Sequence, residues 1–263
     1  MRDLFRNFRR ERVEFLLIGG QATVVYGAAQ FTQDFDVWVK PTKTNLEALL
    51  RALSRCGARY HKLTPPVTLR NALRGHGFHF LVPTAGSTPV PLDVMARPPR
   101  VGAYASARRR ARRIATPWGT LRVVAPEDLV LLKRTNRPGD YDVVARLVRL
   151  RLDEERRPSR AKVLWAAQNT LILEPLQSLA ERHFRSLSRE DPRIPTAARI
   201  LARRVLAGSP PSRSDLSRAE SDLLRRLASS IRAGRDAWSP VIAELRELRR
   251  LDRLAPEGAR VRG

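Results

Sequence analysis

Apolar positions along this chain fall into two regimes. Up to about residue 152, short apolar runs stopped by glycine, proline or charge alternate with segments of helical period. VEFLLIGG (13–20) is such a run, closed by Gly19 and Gly20, and predicts a buried strand. QATVVYGAA (21–29) then reads as a helix, and Phe35 to Val39 as a second strand ended by Lys40-Pro41. Ahead of them, residues 1–12 read as a short basic helix. Thr44 and Glu47 have capping-box spacing before the helix NLEALLRALSRCG, which Gly57 stops. Residues 68–75 suggest another short helix. Phe78–Val82 and Val90–Ala96 predict a hairpin, with turn chemistry at 83–89. A basic stretch (104–115) precedes a strand at 116–124. Pro126, Glu127 and Asp128 open a helix with proline and acids in its first turn. RPGD (137–140) breaks it, and a further helix follows.

After Arg157-Pro158 no strand signal remains, and apolar residues recur at helical spacing in segments such as VLWAAQNTLILEPLQSLAERHF and VIAELRELRRLDRL. The pattern predicts an α/β (α+β) fold, with a mixed sheet and flanking helices over 1–157 and an all-helical domain over 158–263. Residues 255–263 are expected to fray.

Composition narrows the function. The chain has 263 residues, 43% of them hydrophobic, enough to bury a real core. A lone cysteine, Cys56, excludes an intramolecular disulfide and fits a reducing cytoplasm. The first apolar run, FLLI, is too short for a signal segment, and no stretch approaches a membrane span. The net charge of +24 is the footprint of a polyanion partner, most naturally nucleic acid. The competing explanation is a GC-rich coding sequence, which inflates Arg, Ala and Pro without selection for binding. That explanation leaves the shortage of acids unexplained.

The chemistry concentrates in LLIGGQATVVYGAAQFTQDFDVWV (16–39). Asp34 and Asp36, at i and i+2 on a strand, share a face, and Asp93 sits inside the apolar run PVPLDVMA. Three carboxylates from neighbouring strands make an oxygen cage for hard divalent cations such as Mg²⁺, completed by substrate phosphates and water. Gly19 and Gly20, at a strand-to-helix junction, let a phosphate approach the backbone and the N–H groups of the next helix. Alone, a glycine pair is a common tight turn and D-x-D a common strand end. Joined, they suggest phosphoryl or nucleotidyl transfer.

The order of these motifs resembles the DNA polymerase β-like nucleotidyltransferase superfamily: GG, a 13-residue spacer (21–33), DFD, then LDVM. The wider context, FTQDFDVWV and VVAPEDLVLLKRTNRPGDYDVVARL, is similar to the minimal nucleotidyltransferases and to AbiEii-type toxins of toxin–antitoxin systems, over about residues 13–152. The resemblance implies that Asp34, Asp36 and Asp93 hold two Mg²⁺ ions, with Asp93 helping to deprotonate the acceptor hydroxyl. It implies that Gly19 and Gly20 cradle the NTP triphosphate, that Thr32 supports the phosphate end, and that Lys133 reaches the phosphates. Asp140 matches a downstream acid that orients this region. The implied partners are an NTP, an RNA or tRNA acceptor and an antitoxin protein. Two positions depart from the family pattern: Gln30 replaces an arginine, and Asp140-Tyr141-Asp142 replaces a D-x-x-D spacing. The alternative is a catalytically degenerate domain that binds nucleotide or nucleic acid.

Other residues have plainer readings. His76 and His79 have a ligand-like spacing but no cysteines nearby, so they read as ordinary surface or strand histidines. ARRRARR (107–113) reads equally as a phosphate grip or a solvated helix face. Trp38 shares the period-2 face of Asp34 and Asp36, although a core tryptophan is the default. Trp165 and Cys56 read as structural.

Overall fold

The computed structural model describes residues 1–84, 86 and 88–263. The chain packs as two compact units, Met1–Leu132 with Asp236–Gly263, and Lys133–Arg235. The position read from sequence as a boundary, residue 157, lies inside the second unit.

In the first unit the order is α1 (Arg2–Arg10), β1 (Phe15–Ile18), α2 (Gly19–Val25), β2 (Phe35–Val39), α3 (Lys43–Arg55), β3 (Arg59–Tyr60), α4 (Leu69–Leu73), β4 (Gly77–Val82), β5 (Val90–Met95), α5 (Tyr104–Arg110), β6 (Arg112–Thr116), β7 (Gly119–Val123) and α6 (Pro126–Lys133). Lys133, the last residue of α6, opens the second unit. That unit carries α7 (Asp140–Asp153), α8 (Arg160–Asn169), α9 (Leu173–Leu187), α10 (Thr196–Leu206) and the first part of α11 (Arg213–Arg250). The fold is α/β, with the strands confined to the first unit among the described residues.

Seven strands among the described residues form one mixed sheet in the order β3-β4-β5-β2-β1-β7-β6. β1 runs antiparallel to β2 and parallel to β7, and β2 runs parallel to β5. Alternation divides the sheet into two unlike faces. At the centre of the sheet the residues at one set of positions, among them Leu17, Phe35, Val37, Val39, Phe78, Phe80, Leu92, Val94 and Val123, are buried. Phe5 of α1 meets Phe15 and Phe35 there at ring separations of 5.6 and 5.9 Å. Phe35 also meets Trp118 edge-on at 4.8 Å. On the opposite face, Asp36, Gly77, His79, Asp93 and Met95 are only half-buried. A sheet with one closed and one partly open face gives polar residues a rigid platform.

Trp38 belongs to the open face by register, but it is core. Its indole N–H donates to the Ala96 carbonyl at 2.9 Å, and its ring packs edge-on against Tyr104 of α5. It does not line the acidic site.

Several boundaries move from their sequence positions. β1 stops at Ile18, so both glycines belong to α2. The cap of α3 is Thr42, whose hydroxyl accepts from the Asn45 N–H at 3.3 Å; Thr44 lies inside the helix. Asn45 explains the choice. It is buried, donates to the carbonyls of Glu14 and Lys40 at 3.0 Å, and fixes the entry of α3 against β1. The basic stretch 104–115 divides into α5 and the edge strand β6. The turn expected at 83–89 lies partly outside the described residues, which omit Ala85 and Ser87.

The C-terminal segment does not fray. Tyr60 donates its N–H to the Ala259 carbonyl and accepts from the Gly258 N–H, both at 2.9 Å. Val261 donates to the Ala58 carbonyl at 2.9 Å and is itself buried. The segment covers the outer edge of β3, a two-residue strand with backbone groups to satisfy.

The cap assignment predicts that Thr42→Ala lowers unfolding free energy by about 1 kcal/mol, while Thr44→Ala stays within about 0.5 kcal/mol of the parent. Urea denaturation of the two variants measures the difference. Equal losses would contradict the assignment.

Candidate active site

The site grows from the junction of β1 and α2. Gly19 has φ +64°, a left-handed conformation that glycine adopts without steric cost. A Cβ at position 19 would lie 1.9 Å from Asp36 Oδ2, and one at position 20 would lie 2.5 Å from Thr32 Oγ1. Side chains at these positions would therefore displace Asp36 and Thr32. The Gly20 N–H donates to Asp36 Oδ2 at 3.2 Å, and the side-chain amide of Gln21 donates to the Thr32 carbonyl at 3.2 Å. The two glycines, Thr32 and Asp36 thus form one contiguous cradle.

Strand register adds the second acid. Ile18 is opposite Asp36, Asp36 is beside Asp93 on the parallel strand β5, and Asp93 is opposite His79 on β4. Register partners point to the same side of a sheet, with strands about 4.8 Å apart. Asp36, Asp93 and His79 therefore form a row across three strands of the half-open face. His79 Nδ1 lies 2.7 Å from Asp93 Oδ1. Asp34 sits one residue before β2 and is exposed.

The sequence-derived triad is thus only partly assembled. Asp36 and Asp93 are adjacent, and Asp34 stands at the entrance to β2. Among the described residues, no three acids, histidines or cysteines surround a point at which they could hold one metal ion. The donor chemistry nevertheless suits a hard cation: two carboxylates on rigid adjacent strands, one of them packed tightly against the glycine turn. Asp36 and Asp93 would hold such an ion.

His79 is the residue that sequence reading undervalued. The spacing of His76 and His79 suggests a shared role, but they face different partners. His76 is buried, with Nε2 3.1 Å from Glu244 Oε2 of α11. His79 lies on the acid row. The available signal was the alternation of β4, which places His79 opposite Asp93 once the hairpin register is known.

In the second unit, Lys133 and Asp140 are also brought together. Lys133 Nζ is 3.4 Å from Asp140 Oδ1, and the Thr135 hydroxyl donates to Asp140 Oδ2 at 2.5 Å. Tyr141, the residue between Asp140 and Asp142, is buried, and its hydroxyl is 3.0 Å from both the Thr135 carbonyl and Ser230 Oγ. Asp140 therefore anchors the lysine, and the irregular D-Y-D spacing places an aromatic core residue between its acids.

No family model matches this chain, and no curated protein sequence matches it.

The packing at Gly19 yields a graded prediction. Gly27 also has positive φ, +78°, but nothing lies within 4 Å of a Cβ built there. Gly27→Ala should lose about 1–2 kcal/mol of stability from backbone conformation alone. Gly19→Ala should lose at least about 1 kcal/mol more, because Asp36 must move as well. Urea unfolding compares the two, and equal losses would contradict close packing of Asp36 against residue 19.

Proposed function

We propose that this chain is a nucleotidyltransferase of the DNA polymerase β-like type, moving an NMP from an NTP to an acceptor hydroxyl. The observation that supports this reading is the pairing of Asp36 with Asp93 across parallel strands, beside a glycine pair that closes on Asp36. The net charge of +24 favours an RNA acceptor, for which a tRNA 3′ end is the form suggested by the toxin resemblance. An antitoxin partner belongs to the same reading.

The reaction joins the acceptor oxygen to the α-phosphorus and breaks the bond from that phosphorus to the bridging oxygen, releasing pyrophosphate. Bound Mg²⁺ supplies Lewis-acid stabilisation of the attacking and leaving oxygens. Asp36 and Asp93 would hold it, with Asp34 the third acid that the resemblance assigns to the ion. Gly19 and Gly20, packed against Asp36 and Thr32, are the glycines that the resemblance places beside the triphosphate, with Thr32 at the phosphate end. Asp93 receives the proton of the acceptor hydroxyl. His79, 2.7 Å from it, restrains the Asp93 carboxylate. Lys133, held by Asp140, is the lysine that the resemblance assigns to the phosphates.

Two observations favour a second reading, a nucleotide- or nucleic-acid-binding protein without turnover. Asp34 is exposed, and no three-residue metal group is preassembled among the described residues. Turnover distinguishes the two readings.

Incubation with each α-labelled NTP and total RNA, with and without Mg²⁺, should place label on RNA only when Mg²⁺ is present. Asp36→Asn and Asp93→Asn should each reduce transfer at least about 100-fold, and the urea midpoint of Asp36→Asn should be unchanged or raised because like charges no longer repel. Full activity in either variant would refute the enzyme reading. Nucleotide binding without transfer by the parent protein would favour the binder. Label on the protein itself would redirect the acceptor.

A further inference from the structure

The open face of the sheet carries a second feature beyond the acid row. In the β6–β7 hairpin, Arg113 is directly opposite Arg122. Like charges directly opposed on neighbouring strands are destabilising, so this pairing carries a cost in the isolated protein. Edge strands do use charge to prevent sheet-to-sheet association, but that function does not require arginine to face arginine.

Register places both arginines on the face of the acid row. Leu17 pairs with Val123, so the neighbouring residues Ile18 and Arg122 share the opposite face. Ile18 pairs with Asp36, which carries the same face across to Asp93 and His79. Arg113 is exposed and Arg122 half-buried. Further cations join them. Exposed Arg108 on α5 has Nε 3.7 Å from Glu14 Oε2, and Lys40 Nζ approaches Glu14 Oε1 at 2.5 Å. A single carboxylate, Glu14, is shared between these two cations. Tyr104, the buried first residue of α5, has a hydroxyl with no hydrogen-bond partner and lies within the field of Glu14, Arg108 and Arg122. Burial pushes its phenol well above the usual value, so it stays protonated as a donor.

We infer that the face formed by Arg108, Arg113 and Arg122 is the docking surface for a single-stranded nucleic acid. Guanidinium groups recognise phosphate in bidentate fashion, and bound phosphates would relieve the repulsion between the opposed arginines. The surface lies on the same side of the sheet as Asp36 and Asp93, although Leu16, Ile18 and Trp38 between them are buried, so a strand docked on β6 and β7 reaches the acids around covered positions. This deepens the proposed transfer reaction by locating its acceptor, and the binding itself needs neither nucleotide nor metal.

The test measures fluorescence anisotropy of a labelled mixed-sequence 20-nucleotide RNA across a salt series, without NTP or Mg²⁺. The Arg113→Gln/Arg122→Gln protein should bind roughly tenfold more weakly at 0.1 M salt, and its log–log salt slope should fall by about 1.4, the contribution of two phosphate contacts to a single strand. Removing the same charge from exposed Arg156 and Arg157 in the second unit, by substitution to glutamine, should change both quantities much less. The melting temperature of the Arg113/Arg122 double variant should hold or rise, which excludes unfolding as the cause of weaker binding. Asp36→Asn should bind RNA at least as well as the parent, so failure of transfer and failure of docking are separately visible. Unchanged affinity and slope in the Arg113/Arg122 variant would overturn the proposal. Poly-glutamate bound as tightly as RNA, with the same dependence on these two arginines, would give the surface to an acidic protein and would also overturn it.

Discussion

The Asp36 carboxylate occupies space that a side chain at position 19 would need, and the Gly20 N–H holds it there. That contact ties the end of β1 to the start of β2 at the place where the chain leaves the sheet. It fixes the orientation of one acid before any ligand arrives. Because β2 runs parallel to β5, the same contact brings Asp36 level with Asp93. A one-residue slip in this pairing would move one acid to the opposite face, where Val37 and Val94 are fully buried. The cost of burying an unpaired carboxylate in that core guards the register.

Much of this was legible in the chain. Phe35–Val39 and the β4–β5 hairpin stand out because apolar residues alternate there between turn residues. The glycine pair was legible only jointly with the acids, because a glycine pair alone is a common tight turn. Less legible were features decided by distant partners. Thr42 caps α3 instead of Thr44 because Asn45 is drawn into the junction with Glu14, which spacing alone does not reveal. The tail at 255–263 looks polar and loose, yet it satisfies the short strand β3 almost 200 residues earlier in the chain, and Arg59 donates to the Gly258 carbonyl at 2.8 Å. Residue 157 looks like a boundary because its composition changes, whereas the packing divides between Leu132 and Lys133.

The site was legible in its acids and glycines and not in its histidine. Period-2 counting put Trp38 with Asp36, but a large ring on a half-open face recruits its own cover, here Tyr104. His79 lacked a signal of its own because its significance depends on the strand beside it. Charge followed the same rule. An excess of arginine in the composition is ambiguous, since coding bias alone can produce it. The placement of Arg113 against Arg122 is a local arrangement that only the strand register reveals.

The central claim is that Asp36 and Asp93 jointly hold the metal that accompanies a nucleotide. Anomalous diffraction from crystals soaked with Mn²⁺ and a non-hydrolysable NTP tests it most directly. The account predicts a peak about 2.1 Å from a carboxylate oxygen of each residue, with the triphosphate beside Gly19 and Gly20. A well-ordered nucleotide whose Mn²⁺ lies away from both carboxylates would contradict it.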